Sequence, residues 1–265
     1  MIMKKMLVML LALVMALSLC TVYAEDASDK QYVLDKGVLV VGITDFAPMD
    51  YKDENGEWIG FDADLARAFA AELGVEVEFV EIDWDNKILE LDAKAVDCIW
   101  NGMTLTDAVK AAMETANPYM NNAQVVVVPA DKADLYQTVD SLKDLVFAVE
   151  AGSAGEAEAN ALQLATNPVL AQADALMEVS AGTSDAAVID ALMAAAMVGE
   201  GTSYQNLTYT IGLNSEEYGV GFRKGSDLAA ELNAFLLAKY EDGTIMQIAQ
   251  TYKVQAAVIA QVAAE

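Results

Sequence analysis

The chain has 265 residues, of which 55% are hydrophobic and 21% charged, and this composition excludes the disordered and low-complexity classes. With 15 basic and 41 acidic residues the net charge is −26, so neither nucleic acid nor an anionic membrane surface is an expected partner. The sequence contains no histidine and two cysteines, which excludes a Ser-His-Asp triad, histidine metal ligands and an ordinary four-ligand zinc site. We therefore expect no metal and no cofactor.

Residues 1–24 have the features of a secretory signal peptide. A basic start precedes an uncharged run over residues 6–19, and the small residue Ala24 stands before the first acidic residues. This order predicts export and cleavage after Ala24. Two alternatives stay open: an uncleaved membrane anchor, and a lipoprotein attached through Cys20, although Leu19 stands where such signals carry Gly, Ala or Ser. The protein is expected in the periplasm or at the outer face of the cytoplasmic membrane.

Strand and helix patterns alternate along the rest of the chain, after a lead over residues 25–36 that we expect to be flexible. Apolar runs typical of buried strands follow segments of helical periodicity, and Gly74 is placed to end the first helix. The predicted strands are 38–43, 75–79, 96–100, 125–128, 145–149, 186–189 and 220–222, and the predicted helices are 61–73, 88–95, 106–113, one beginning at Ser153, 173–180, 192–198, 226–240 and 244–252. Repeated strand–helix units predict a mostly parallel α/β architecture.

A series of short motifs in these segments resembles one protein family. The motifs lie at residues 40–42, 46–48, 51–56, 60–66, 97–106, 117–119, 218–225 and 242–244. In order and spacing they resemble the extracellular solute-binding proteins of polar amino acid ABC importers, which form bacterial solute-binding protein family 3. The resemblance extends from about residue 37 to residue 254.

The resemblance implies a periplasmic-binding-protein fold of type 2, also called a Venus flytrap. Two α/β lobes would be joined by two crossover strands, near residues 123–127 and 217–221, that form a hinge. Lobe one would combine residues 37–124 and 221–254, lobe two would be residues 125–220, and residues 255–265 would be a C-terminal tail. A ligand that contacts both lobes favours the closed state, which a membrane permease would recognise.

The resemblance also implies a ligand site between the lobes. Asp190 matches the family aspartate that binds the ligand ammonium, and it follows a predicted strand, where α/β sheets place ligands; the alternative is that it caps the next helix. Phe46 and Trp84 match aromatic positions that flank the ligand, with core packing as the alternative. For Trp100, lining of the cleft and packing are equally open.

Two loops are predicted to hold a carboxylate. Asn101, Gly102 and Thr104 precede a predicted helix, and backbone amides and hydroxyls at a helix N-terminus favour an anion. Ser153 and Ala154 would do the same from lobe two, with helix capping alone as the alternative for Ser153.

One position departs from the family pattern. Members that bind an α-amino acid usually carry arginine three residues after the equivalent of Thr106, where it forms a bidentate pair with the carboxylate, but this chain has Val109 there. The only arginines, Arg67 and Arg223, do not substitute by their sequence positions. Lys87 or Lys110 could approach the cleft instead.

The expected function is that of the substrate-binding component of an ABC importer. It would capture a small polar solute, an amino acid, and deliver it to a membrane permease, acting as a monomer and not as an enzyme. One alternative is a protein of the same fold that binds an organic cation or amine through aromatic rings and Asp190. Another is a dehydratase of prephenate-like substrates, whose chemistry needs a positioned acid and cationic groups.

Overall fold

The computed structural model describes residues 28–262, so the predicted signal peptide and its alternatives lie outside the described residues. The helices are α1 (Asp29–Lys36), α2 (Phe61–Leu73), α3 (Lys87–Asp92), α4 (Asp107–Ala112), α5 (Ala154–Ala161), α6 (Gln172–Ala181), α7 (Ala191–Met197), α8 (Leu228–Glu241) and α9 (Thr244–Thr251). The strands are β1 (Val38–Ile43), β2 (Tyr51–Lys52), β3 (Trp58–Ile59), β4 (Glu76–Glu81), β5 (Cys98–Thr104), β6 (Glu114–Thr115), β7 (Met120–Asn122), β8 (Gln124–Pro129), β9 (Val146–Glu150), β10 (Ala165–Val169), β11 (Ala186–Asp190), β12 (Leu207–Gly212) and β13 (Glu216–Phe222).

Two sheets form the two lobes, which confirms the predicted two-lobed α/β fold. The first sheet has the order β4-β1-β5-β13-β6, with β7 paired to β13, and the second has the order β10-β9-β11-β8-β12. In each sheet three neighbouring strands are parallel, and the remaining strands are antiparallel to their neighbours. The sheets are thus mixed and not mostly parallel, because β8 and β13, which enter each lobe from the other, run antiparallel to the strands they join.

The chain crosses between the sheets at two adjacent places. One residue, Ala123, separates β7 in the first sheet from β8 in the second, and residues 213–215 separate β12 from β13 on the return. The second crossing lies upstream of the expected 217–221, because β13 already begins at residue 216. The crossings touch each other, since the Gln124 N–H donates a hydrogen bond of 2.7 Å to Oδ1 of Asn214. This contact makes the two connections one hinge.

Local sequence explains the best-predicted helix, α2. Its apolar residues at helical spacing, including Leu65 and Phe69, are buried against the first sheet, and acidic residues occupy its first turn, where they favour the helix dipole. Gly74 ends the helix in the left-handed conformation, with φ of 76°. Trp100 of β5 packs edge-on against Phe69, with ring centres 6.2 Å apart.

Residues 29–36 form helix α1, which corrects the flexible lead expected over residues 25–36. Ser28 caps the helix by accepting a hydrogen bond from the Gln31 N–H, and Gly37 ends it with φ of 76°. Asp29 in its first turn forms a buried ion pair of 2.9 Å with Arg223. The helix is docked by a residue 194 positions away, which a local pattern does not reveal.

The sequence does not predict two edge strands of the second lobe. Strands β10 and β12 lie at opposite edges of their sheet, and their residues are mostly half-buried or exposed. Strands of this kind lack the continuous apolar run that marks a central strand. Over residues 28–262 we find no helix with the length and apolar character needed to cross a membrane.

Candidate functional site

A cavity of about 270 Å³ is lined by residues of both lobes. Nine predicted site residues line it: Trp84, Lys87, Asn101, Gly102, Thr104, Val109, Ser153, Ala154 and Asp190. Eight further residues were not predicted: Ile88, Met103, Thr106, Ala108, Glu150, Gly152, Ala157 and Gln172. Two predicted residues, Phe46 and Trp100, are outside the lining.

The lobes are in contact beside this cavity. Lys87 of lobe one donates from Nζ to the carbonyl oxygen of Gly152 in lobe two, over 2.9 Å, and to the carbonyl oxygen of Trp84, over 3.1 Å. Asp85 approaches so closely that a Cβ atom placed on Gly152 would be 2.7 Å from the Asp85 Cα. The lobes therefore stand in a closed arrangement.

Asp190 lies at the carboxyl end of β11 and is 4% exposed. Its Oδ1 accepts hydrogen bonds from the Asn122 amide and, over 2.6 Å, from the Tyr218 hydroxyl, while its Oδ2 accepts one from the Gln172 amide. The side chain makes no capping bond to helix α7, so the capping alternative does not hold. Burial, followed by the nearby charge of Glu216, raises the pKa of Asp190 to about 7, and the bonds from Tyr218 and Gln172 oppose that rise.

Glu216 connects the site to the hinge. Its Oε1 accepts hydrogen bonds from the amides of Asn122 and Gln124, over 2.7 and 2.8 Å, and from the hydroxyl of Thr104, over 2.9 Å. The single amide of Asn122 thus bridges the carboxylates of Asp190 and Glu216. The cavity and the two crossings therefore share one hydrogen-bond network.

Glu150 is the most informative lining residue that the sequence interpretation missed. It ends β9, is 2% exposed, and its Oε1 has no hydrogen-bond partner among the described residues. Burial, followed by the charge of Asp190, raises the pKa of Glu150 to about 8, while Lys87 lowers it. The signal that indicated Asp190, an acidic residue directly after an apolar strand, is present at Glu150 as well.

Asn101, Gly102 and Thr104, expected in a loop, lie instead in strand β5, which continues to Thr104, and they line the cavity with donors that are already in use. The Asn101 side chain exchanges two hydrogen bonds with Thr44, of 3.0 and 2.8 Å. The Gly102 N–H donates over 2.6 Å to the buried carboxylate of Asp62, and the Thr104 hydroxyl donates to the carboxylate of Glu216 at the hinge. In this closed arrangement these groups shape the wall of the cavity.

On the opposite wall, Ser153 both caps a helix and lines the cavity. Its Oγ accepts the Glu156 N–H over 3.0 Å at the start of α5, and Ala154 follows as the first helical residue. First-turn amides of a helix have no partner within the helix, so this wall presents donors to a carboxylate.

The three predicted aromatic residues separate into two groups. Trp84 is 7% exposed and lines the cavity. Phe46 packs edge-on against Tyr218, with ring centres 6.3 Å apart, and lies directly beneath Gly102. Trp100 is fully buried in the core of lobe one. Packing is thus the observed role of Phe46 and Trp100, and a ligand contact remains a prediction for Trp84.

Val109 lines the cavity from helix α4, at the position where the family pattern has arginine. Arg223 is held by Asp29, and Arg67 donates to the Trp58 carbonyl oxygen, so both arginines are engaged elsewhere. Among the described residues that line the cavity, Lys87 is the only cation.

Comparisons with known proteins agree with this architecture. The family model described as bacterial extracellular solute-binding proteins, family 3, matches residues 39–255. A probable histidine-binding protein of Neisseria gonorrhoeae is 30% identical over 248 residues, covering 90% of this chain and 91% of its own. The crystal structure of a mutant of ArgBP from T. maritima has a TM-score of 0.79 and 30% identity, covering 85% of this chain and 99% of its own. That of the ancestral amino acid-binding protein AncCDT-1, a precursor of cyclohexadienyl dehydratase, has a TM-score of 0.78 and 32% identity, with the same coverage.

Proposed function

Because the chain belongs to the bacterial extracellular solute-binding proteins of family 3, we propose that it binds an amino acid between its lobes as the substrate-binding component of an ABC importer. The observation that carries this proposal is Asp190, a buried carboxylate held by three donors in a cavity that both lobes line. Such a carboxylate suits a ligand ammonium, which replaces the water that burial removes. The similar proteins named for histidine and for amino acids support this ligand class.

The closed, loaded protein would deliver its solute to a permease in the membrane. This step requires export, which the family description as extracellular supports, and we propose cleavage after Ala24 and a monomeric protein.

We propose binding without catalysis, because the sequence has no histidine and both arginines are engaged in structural contacts away from the cavity. Cyclohexadienyl dehydratase chemistry would need cationic groups for its substrate's carboxylates, and Lys87 is the one described cation of the lining.

A substitution at Asp190 tests the proposal. Purified protein is screened against the twenty L-amino acids by thermal shift, and binding of the best ligand is measured by calorimetry. At a ligand concentration 100 times the Kd, the stabilisation should be about 2.7 kcal/mol. Asp190→Asn should weaken binding at least about tenfold, since it removes a charge-assisted hydrogen bond. Asp131→Asn, at an exposed position of the same lobe, should bind like the parent. Equal affinity of Asp190→Asn and the parent would show that the ammonium does not bind there.

Val109 favours a second candidate, an organic cation or amine without a carboxylate. Such a ligand needs no arginine at this position, and Trp84, whose ring already has the Lys87 Nζ 4.8 Å from its centre, lines the same cavity as Asp190. Val109→Arg separates the two candidates. The variant should bind an amino acid at least as tightly as the parent, by pairing with its carboxylate, but it should weaken binding of a carboxylate-free amine such as putrescine.

A further inference from the structure

Glu150 has no assigned role, yet it is placed as a ligand group. Its carboxyl group is buried at the carboxyl end of β9 and faces the same cavity as Asp190 at the end of the neighbouring strand β11. Its Oε1 has no hydrogen-bond partner in the part of the chain that the structure describes. A buried polar atom without a partner costs free energy unless a ligand satisfies it.

We propose that Glu150 is a second anionic anchor beside Asp190, and that the cavity therefore selects a solute with a net positive charge. This inference rests on the proposed function and narrows its ligand class. Lys87, whose Nζ is held by the backbone carbonyl oxygens of Trp84 and Gly152, supplies one positive charge and therefore compensates only one of the two carboxylates.

The charges that face Glu150 support a cationic ligand. Asp190 approaches it from β11 and Lys87 from α3, with the Thr44 and Gln172 side chains as its polar neighbours. Further out, Asp85 and Glu156 lie near Lys87, and Glu216 lies near Asp190. While Glu150 is protonated, Asp190 and Lys87 compensate each other around a zwitterion. A net-cationic solute brings one more positive charge, which Glu150 neutralises when it ionises. An uncompensated buried charge is strongly unfavourable.

The valine at position 109 also favours a cationic ligand. An arginine there would add a positive charge to this lining, but the valine adds none. With valine at position 109, the cavity lining contains two carboxylates and one lysine. This balance of charges suits a cation and not a neutral amino acid.

Binding of a cation should also release a proton. In the empty cavity burial keeps Glu150 largely protonated at neutral pH, since its pKa is raised to about 8. When the cation binds, the O–H bond of the carboxylic acid breaks, the electron pair stays on the carboxylate that pairs with the cation, and the proton passes to the buffer. Asp190 contributes a further fraction of a proton, because its pKa is about 7.

Two pairs of ligands with nearly the same shape but different charge test the proposal: L-arginine against L-citrulline, and L-lysine against L-norleucine. Calorimetry at pH 7, in phosphate and in Tris, measures both the affinity and the protons released. The parent should prefer at least one cation over its neutral counterpart by about tenfold or more. Glu150→Gln should lose that preference and release fewer protons. Glu150→Asp, which keeps the charge, should retain part of the preference, and Glu200→Gln, at an exposed position of the same lobe, should behave as the parent.

Three results would overturn the assignment. They are equal affinity of the parent for both members of each pair, no binding of either cation, and a preference that persists in Glu150→Gln. A folded Glu150→Asp that behaves like Glu150→Gln would also count against it. The proposed function survives these results if any neutral amino acid binds with dependence on Asp190, and it fails only if no amino acid does.

Discussion

At the scale of single residues, Tyr218 controls the charge of the predicted ammonium anchor. Its hydroxyl donates to Asp190 over 2.6 Å, and this bond opposes the rise in the pKa of Asp190 that burial causes. Only the ionised carboxylate attracts an ammonium fully. The affinity of the parent for an amino acid should therefore fall as the pH decreases through about 7.

Tyr218→Phe should move this pH dependence upward. Without the hydroxyl the pKa of Asp190 rises further, so a smaller fraction of the carboxyl group is ionised at pH 7. We expect the affinity to fall about tenfold at pH 7, and the difference from the parent to narrow by pH 8.5. Calorimetric titrations between pH 6 and 8.5 measure this, with Tyr209→Phe, at an exposed residue, as the control. A constant ratio of affinities at every pH would contradict the role given to Tyr218.

At the scale of secondary-structure elements, helix α1 depends on one buried arginine. Arg223, which follows β13, pairs with Asp29 over 2.9 Å and with Asp97 over 3.5 Å, and it donates to the carbonyl oxygen of Val96 over 2.8 Å. Removal of the guanidinium takes away a positive charge that compensates the negative charges of the buried carboxylates of Asp29 and Asp97.

Arg223→Ala should lower the free energy of unfolding by about 3–5 kcal/mol, the usual cost of removing one partner of a buried ion pair. Lys143→Ala, which removes an exposed lysine paired with Asp140, should leave the unfolding curve nearly unchanged. Urea denaturation followed by circular dichroism measures both. A similar midpoint for the two variants would mean that α1 is held by other contacts.

The elements also show how far a sequence can predict this fold. The central strands follow from apolar runs, α2 from its apolar periodicity and the stop at Gly74, and α5 from the cap at Ser153, and the sequence predicts all of these. Helix α1 was missed because its stabilising partner is distant in sequence, and β10 and β12 because edge strands have mixed burial. In the cavity, Glu150 carried the same strand-end signal as Asp190 and could have been predicted. Gln172 could not, since only its contact with Asp190 distinguishes it.

At the scale of the whole molecule, affinity depends on how closely the lobes approach. Gly152 and Asp85 meet in the closed arrangement, where a Cβ atom on Gly152 would be 2.7 Å from the Asp85 backbone. Any side chain at this position would oppose the closed state, and a ligand that contacts both lobes would then bind less tightly.

Gly152→Ala should weaken ligand binding at least about tenfold, because the added methyl group disfavours closure. Gly182→Ala is a matched control. Gly182 has φ of 77° and Gly152 has φ of 71°, so both substitutions cost left-handed backbone strain of about 1–2 kcal/mol, but a Cβ atom on Gly182 would have no neighbour within 4 Å. Calorimetry measures the affinity, and small-angle X-ray scattering measures the ligand-induced decrease in the radius of gyration. Equal affinities of the two variants would show that this contact is not needed for closure.

The most direct measurement of solute capture between the lobes is a crystal structure grown with the amino acid that gives the largest thermal shift. We expect the ligand in the cavity between the lobes, with its amino nitrogen about 3 Å from a carboxylate oxygen of Asp190 and contacts to Trp84 on one lobe and Ser153 on the other. An amino acid bound outside this cavity, or bound inside it with its amino group away from Asp190, would contradict the proposal.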